Sequence, residues 1–171
     1  MKAYPPVGME IHILRHGIAE VAVAGMSDAD RALLPEGRKK LRAVLRVARE
    51  VGVAPAAILT SPYLRAVQTA EVAADELGYT GELIRVDALR PGSSPREAWE
   101  EIRLHQSLPS VLVSGHEPLL SSLAAYLLGV PSLLVDLKKG SLVRIDLDRF
   151  GPEPRGVLRW YYTPKIALAR S

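Results

Sequence analysis

The chain has 171 residues, of which 48% are hydrophobic and 24% charged, a composition that predicts one globular domain over residues 1–171. It contains no cysteine, which excludes disulfides, a thiolate nucleophile and a zinc–thiolate site. The formal net charge of +3 is spread along the chain without a basic block, and no apolar run approaches the roughly 20 residues that span a bilayer. We therefore expect no nucleic-acid partner and no membrane span. Residues 1–8 lack a secretory apolar stretch, so a cytoplasmic location is expected.

Short apolar runs alternate with helical patterns along the first 130 residues. Runs at Met9–Arg15, Ala57–Thr60, 82–86 and 110–114 predict buried strands, and apolar residues at helical spacing predict helices over 35–51, 64–77, from Pro95 onward and over 118–128. Further strand-like runs at 133–137, 142–147 and 157–162 predict added edge strands. This order predicts an α/β fold: a three-layer α/β/α, doubly wound, mostly parallel sheet.

Polar clusters follow three of the predicted strands. Arg15-His16-Gly17 follows the first, the segment 61–65 the second and the segment 114–118 the fourth. Ligands bind at the carboxyl ends of parallel strands, so these segments are expected to meet at one edge of the sheet. Ser61 is predicted to cap a helix that places Arg65 in its first turn, where an anion is favoured. Arginine forks and a helix start together indicate a phosphate site.

Three motifs in this order resemble the histidine phosphatase, or phosphoglycerate mutase-like, superfamily. They are Leu14-Arg15-His16-Gly17, the segment Ser61-Pro62-Tyr63-Leu64-Arg65-Ala66-Val67-Gln68-Thr69-Ala70, and Gly115-His116-Glu117-Pro118. Within the superfamily, the short chain, Arg31 ahead of Pro35-Glu36-Gly37 and the tail Trp160-Tyr161-Tyr162-Thr163-Pro164 are similar to the SixA-type phosphohistidine phosphatases.

The resemblance implies that His16 attacks phosphorus and becomes transiently phosphorylated. It also implies that Arg15, Arg65 and His116 act with it and bind the phosphate oxygens, that Gly17 permits close approach of the backbone to phosphate, and that no metal or other cofactor is required. A neutral imidazole is nucleophilic near pH 7. We therefore expect the other ring nitrogen of His16 to donate to a carbonyl near Gly17.

One departure from the superfamily pattern bears on the substrate. Many members carry a catalytic Glu shortly after the third strand, whereas this chain has Pro91 there, in Asp87-Ala88-Leu89-Arg90-Pro91. An alkoxide leaving group needs a strong proton donor, but the imidazole of a phosphohistidine has a conjugate-acid pKa of about 6.5. The departure favours phosphohistidine on a phosphotransfer protein; Glu20, Asp87 and Glu117 remain substitute acids.

Two other functions stay open at the level of the sequence. One is a phosphatase for small phosphate esters, and the other is a phosphate-binding scaffold without turnover. The oligomeric state is not indicated. His12, inside a strand, and His105, near a helix end, are interpreted as structural, as are Ser61 and Ser114, because neither serine lies in a nucleophile elbow.

Overall fold

The computed structural model describes residues 8–170, in which strands and helices alternate as the sequence predicts. The strands are β1 (Met9–Arg15), β2 (Ala57–Thr60), β3 (Leu83–Arg85), β4 (Ser110–Gly115), β5 (Leu142–Leu147) and β6 (Val157–Tyr162); the helices are α1 (Pro35–Glu50), α2 (Leu64–Leu77), α3 (Pro95–Arg103), α4 (Leu119–Leu127) and α5 (Pro164–Leu168). A capping box of Ser94 and Glu97 begins α3, and Gly78, at φ 69°, ends α2.

The six strands form one sheet in the order β3-β2-β4-β1-β5-β6. The first four strands of the chain run parallel, with β1 paired to β4 and β2 between β3 and β4. The last two strands add antiparallel at the β1 side. Arg15 pairs with Gly115 and Thr60 with Ser114, so β1, β2 and β4 end at the same edge of the sheet.

Helices cover both faces of this sheet and bury two separate apolar clusters. On one face Trp99 and Ile102 of α3 and Leu123 of α4 pack against Ile11 and Ile13 of β1. On the other face α1, α2 and α5 pack against Leu14 and its neighbours. Side chains alternate along β1 between the two faces, as strand geometry requires. The predicted three-layer α/β/α, doubly wound, mostly parallel sheet is confirmed.

The strand predicted over 133–137 is wrong, because this segment is a loop. The side-chain hydroxyl of Tyr161 donates to the carbonyl of Asp136 at 2.7 Å and Arg15 donates to that of Leu137 at 2.7 Å, so the segment crosses the end of the sheet. Leu134 is 95% exposed and Leu137 is buried. Among residues 8–170, no helix has both the length and the apolar character to cross a membrane.

Candidate active site

Backbone hydrogen bonds bring the three predicted polar clusters together at the carboxyl edge of the sheet. The amide of His16 donates to the carbonyl of Gly115 at 3.0 Å, and that of Ser61 donates to Ser114 at 3.0 Å. On the other side, the amide of Gly140 donates to the carbonyl of His16 at 3.1 Å. The ends of β1, β2 and β4 are therefore held in register, and the side chains that follow them share one site.

His16 is 7% exposed, and its ring orientation is fixed by the next residue. Its Nδ1 donates to the carbonyl of Gly17 at 2.7 Å, and because a carbonyl only accepts, the proton lies on Nδ1 and Nε2 keeps a lone pair. Burial lowers the pKa of His16 to about 4; the bond to Gly17 opposes this, and the charges of Arg65 and Arg15 add to it. At neutral pH His16 is therefore uncharged, with a lone pair on Nε2, and the expected carbonyl partner is confirmed.

His116 faces His16 with the ring centroids 5.2 Å apart, and the ring of Tyr63 contacts its edge, also at 5.2 Å. The Nε2 of His116 lies 2.8 Å from the hydroxyl oxygen of Ser61, which accepts from the amide of Tyr63 at 3.3 Å. In the tautomer in which the Ser61 hydroxyl donates to Nε2, the ring proton of neutral His116 lies on Nδ1. Burial, followed by the charges of His16 and Arg65, lowers the pKa of His116 to about 3.

Two arginines complete the site, and each is anchored through its terminal nitrogens. Arg15 Nη1 donates to the carbonyl of Leu137 at 2.7 Å. Arg65, 4% exposed, donates through Nη1 to the carbonyl of Asp28 at 2.6 Å and through Nη2 to its carboxylate at 3.1 Å. Its guanidinium also lies over the Tyr63 ring, 5.2 Å from the centroid. The Nε of each arginine is buried and has no hydrogen-bond partner.

Within residues 8–170, three of the five buried side-chain polar atoms without a hydrogen-bond partner lie at this site. They are Nε of Arg15, Nε of Arg65 and Nδ1 of His116; the other two are the ring nitrogens of His12 in β1. The first three come from three different segments of the chain; the two arginine Nε groups are N–H donors, and Nδ1 of His116 is one in the tautomer that accepts from Ser61. A buried unsatisfied donor costs about 1–3 kcal/mol, so three donors around one imidazole define an anion pocket. We call Arg15, His16, Arg65 and His116 the anion pocket.

The start of α2 differs from the sequence prediction. Ser61 does not cap the helix, because α2 begins at Leu64 and Tyr63 is its N-cap residue. The Ser61 hydroxyl closes a short turn onto the Tyr63 amide and bonds His116 instead. Arg65 still lies in the first turn of the helix, so the predicted placement of a cation beside a helix N-terminus holds.

Gly17 has a packing role that the sequence did not indicate. A Cβ added at Gly17 would lie 2.8 Å from Cδ1 of Leu41 in α1, so the chain passes close to that helix. The amide of Gly17 donates to the hydroxyl of Thr69 at 3.2 Å, and Thr69 donates to the carbonyl of Arg65 at 2.7 Å. Close approach of Gly17 to phosphate stays a prediction.

The three candidate proton donors are engaged elsewhere. Glu20 and Glu117 each accept a backbone amide hydrogen bond, at 2.9 and 2.8 Å respectively. Asp87 is 82% exposed and pairs with Arg90 at 2.8 Å. Within residues 8–170, the ring of His16 bonds the carbonyl of Gly17 and that of His116 bonds the hydroxyl of Ser61, and neither ring pairs with one of these carboxylates.

Asp28 is the carboxylate that the sequence reasoning missed. It accepts from Arg65 and, at 2.8 Å, from Arg31, whose position three residues later was the one available signal. Partial burial opposes its ionisation, but the hydrogen bonds from Arg65 and Arg31 outweigh this and lower the pKa of Asp28. The carboxylate beside the anion pocket is thus ionised at neutral pH. No group of three or more His, Asp or Glu arranged to hold a metal ion occurs within residues 8–170.

An anion pocket beside an uncharged histidine, at the strand ends of an α/β sheet, fits phosphoryl transfer. The chain belongs to the histidine phosphatase superfamily: the model of its branch 1 matches residues 11–91. The chain is 28% identical over 160 residues to the phosphohistidine phosphatase SixA of Escherichia coli K12, covering 91% of this chain and 94% of that protein. The family predicted from the three motifs is confirmed.

Two further comparisons show how much of the chain is similar to known proteins. The structure of the protein histidine phosphatase SixA complexed with tungstate superposes with a TM-score of 0.82 at 27% identity, covering 92% of this chain and 98% of that one. An uncharacterized protein of Picosynechococcus sp. is 34% identical over 137 residues, covering 79% of this chain and 83% of the relative. The similarity therefore extends well beyond the three motifs.

Proposed function

We propose that this chain is a phosphohistidine phosphatase that forms a phosphorylated intermediate on His16 without a metal ion. The observation that carries the proposal is the set of three buried donors without partners, on Arg15, Arg65 and His116, around the imidazole of His16. A phosphoryl group offers three equatorial oxygens that match these donors. Binding it would satisfy every one of them and neutralise two guanidinium charges.

The chemistry assigns a separate task to each side chain. The substrate phosphohistidine enters with a proton on the ring nitrogen that is not bonded to phosphorus. Nε2 of His16 attacks phosphorus, and a new P–N bond forms while the substrate P–N bond breaks and the substrate imidazole leaves uncharged. Arg15, Arg65 and the Nδ1–H of His116 hold the phosphoryl oxygens throughout. Water then attacks phosphorus, the bond to Nε2 breaks, and phosphate leaves with a neutral His16. Positioned cations supply the charge stabilisation that phosphoryl transfer requires.

The kind of leaving group is inferred from the carboxylates near the pocket, which would have to protonate it. Asp28 is held ionised by Arg65 and Arg31, so it is a poor proton donor. Glu20 and Glu117 hold backbone amides. An alkoxide would leave slowly without a donor, whereas an imidazole, with a conjugate-acid pKa of about 6.5, departs with little assistance. These contacts support a phosphoramidate substrate over a phosphate ester.

The proposal extends to the substrate protein, the cellular location and the extent of the domain. A phosphorylated protein is the proposed substrate, supported by the similarity to the phosphohistidine phosphatase SixA of E. coli. We propose a cytoplasmic location, supported by the lack of cysteine. We also propose that residues 1–171 act as one domain, because a single sheet with helices on both faces accounts for residues 8–170.

The test compares wild type with His16→Ala and with His105→Ala, a control histidine in the turn after α3. Phosphate release is measured from a phosphohistidine protein and from a panel of phosphomonoesters, at neutral pH with a chelator. We expect release from phosphohistidine that His16→Ala abolishes and His105→Ala retains, and an acid-labile phosphoenzyme in wild type. Faster release from a monoester would place the activity on small esters, and anion binding without release would indicate a scaffold.

A further inference from the structure

The loop between α4 and β5 presents apolar side chains to solvent beside the anion pocket. Leu134 is 95% exposed, Val130 47% and Leu133 40%. Single exposed apolar residues are ordinary, but a cluster on one loop marks an interaction surface. We call residues 130–137 the apolar loop.

The apolar loop is held in place. The amide of Leu133 donates to the carbonyl of Val130 at 2.9 Å, and the hydroxyl of Tyr161 donates to the carbonyl of Asp136 at 2.7 Å. At its end, Leu137 is buried in the core. Leu133 and Leu134 are thus presented outward by a segment whose backbone is anchored at several points, so little conformational entropy would be lost when a partner covers them.

The apolar loop is continuous with the site. Its last carbonyl, on Leu137, accepts from Arg15 in the anion pocket. A groove of about 510 Å³ separates the loop from the start of α4; it is lined by Pro118, Ser121 and Ser122 on the helix side and by Pro131, Leu133, Leu134, Val135 and Asp136 on the loop side. Pro118 follows His116 by two residues, so a ligand in this groove lies next to the pocket.

A second loop with exposed apolar side chains is tied to the other arginine. Val21 is 81% exposed and Val23 60%. The segment that carries them leads to Asp28, which binds Arg65. Each arginine of the pocket therefore anchors one apolar segment. Lys139 adds positive charge nearby, since it is one of the charges that lower the pKa of His16.

We propose that the apolar loop and residues 21–23 form the docking surface for the protein that carries the phosphohistidine, and that this partner presents apolar and acidic side chains around its phosphorylated residue. The proposal rests on the proposed function. A free phosphoramidate or small ester fills the anion pocket and leaves both segments exposed. Only a macromolecular substrate covers Leu134 and Val21, and an acidic surface is complementary to Lys139 and the pocket arginines.

The experiment compares wild type, Leu134→Ser, the double variant Leu134→Ser with Val21→Ser, and the control Leu104→Ser. Leu104 is 73% exposed and follows α3, at the amino-terminal edge of the sheet, away from the site. kcat and KM are measured with a phosphohistidine protein and with phosphoimidazole. We expect KM for the protein to rise about tenfold in the double variant, with kcat and the phosphoimidazole kinetics unchanged and the control like wild type.

Each alternative outcome is distinct. A double variant with KM within twofold of wild type on the protein would overturn the docking surface and leave the proposed function intact. Absence of wild-type activity on both phosphohistidine substrates would overturn the proposed function itself. Light scattering adds a third readout: a wild-type dimer that Leu134→Ser dissociates, with KM unchanged, would assign the apolar loop to self-association and refute the docking proposal.

Discussion

Mild acid should destabilise this protein through three buried histidines. The pKa values of His12 and His16 are lowered to about 4 and that of His116 to about 3, in each case chiefly by burial. In the unfolded chain each imidazole takes up a proton near pH 6.5. Between pH 6.5 and 4 the unfolded state therefore binds more protons than the folded state, and stability falls as the pH falls.

The size of the effect follows from these values. From pH 7 to 5.5 each histidine costs about 1.2 kcal/mol of unfolding free energy, or about 4 kcal/mol for the three. This is a large part of the roughly 5–15 kcal/mol that stabilises an ordinary domain. The range from pH 7 to 5.5 lies above the ordinary pKa values of Asp and Glu, so the histidines dominate the change. Glu10, whose carboxylate lies 3.7 Å from the His12 ring, has a pKa raised by burial. It takes up a proton more readily in the folded state, so its contribution to the unfolding free energy rises as the pH falls.

Urea unfolding at pH 7, 6.5, 6 and 5.5 measures this loss. His12→Leu serves as the matched variant, because His12 is outside the anion pocket, is fully buried and leaves both ring nitrogens without hydrogen bonds. It should remove about a third of the pH dependence and stabilise the protein at low pH. Saturating inorganic phosphate should reduce the remaining loss, since a bound anion favours charged His16 and His116.

Two results would refute the reasoning. One is an unfolding free energy that changes by less than about 1 kcal/mol between pH 7 and 5.5. The other is a proton NMR titration in which the ring signals of His16 and His116 move near pH 6.5. Either result would mean that the imidazoles are not held neutral by burial, and the account of His16 as an uncharged nucleophile would fail with it.

Three further predictions concern the frame of the pocket. Ser61→Ala removes the hydroxyl that bonds Nε2 of His116 and should lower kcat/KM about tenfold or more while leaving the fold intact by circular dichroism; an unchanged rate would contradict the tautomer assignment. Thr69→Val should lower kcat/KM by a similar factor, with Thr69→Ser close to wild type, because the hydroxyl holds the Gly17 amide; equal rates for both variants would contradict this. Gly17→Ala should lower the melting temperature by several degrees in calorimetry, because its Cβ would clash with Leu41, and an unchanged melting temperature would show that α1 relaxes freely.

The strand framework and the pocket residues were predictable because both depend on local patterns. β1, β2 and β4 are short continuous apolar runs, which is the pattern of strands buried on both faces. A parallel sheet then places whatever follows each run at one edge, so Arg15, His16, Arg65 and His116 were expected to meet. The hydrogen-bond partner of the His16 ring could also be predicted, because the carbonyl belongs to the next residue in the chain.

The errors arose where long-range contacts decide the structure. Residues 133–137 have the composition of a strand, yet they lie beyond the end of the sheet. There the side chains of Arg15 and Tyr161, and not a neighbouring strand, donate hydrogen bonds to the backbone carbonyls of the segment. The contact between Asp28 and Arg65 spans 37 residues and has no periodic signature. Ser61 suits a helix cap locally, but His116, 55 residues away, engages its hydroxyl. These features depend on which segments the fold brings together.

His16, the proposed nucleophile, directly follows an interior strand of the sheet. β1 has hydrogen-bonded neighbours on both sides, and the backbone of His16 extends these ladders, donating to Gly115 and accepting from Gly140. Amides in such positions exchange with deuterium only through the largest openings of a protein. The amide of His16 should thus exchange about as slowly as the core of β1, while residues 21–26 exchange early. The proposed phosphoryl transfer would then take place on the most persistent part of the structure, while the proposed docking segment at residues 21–23 would open most readily.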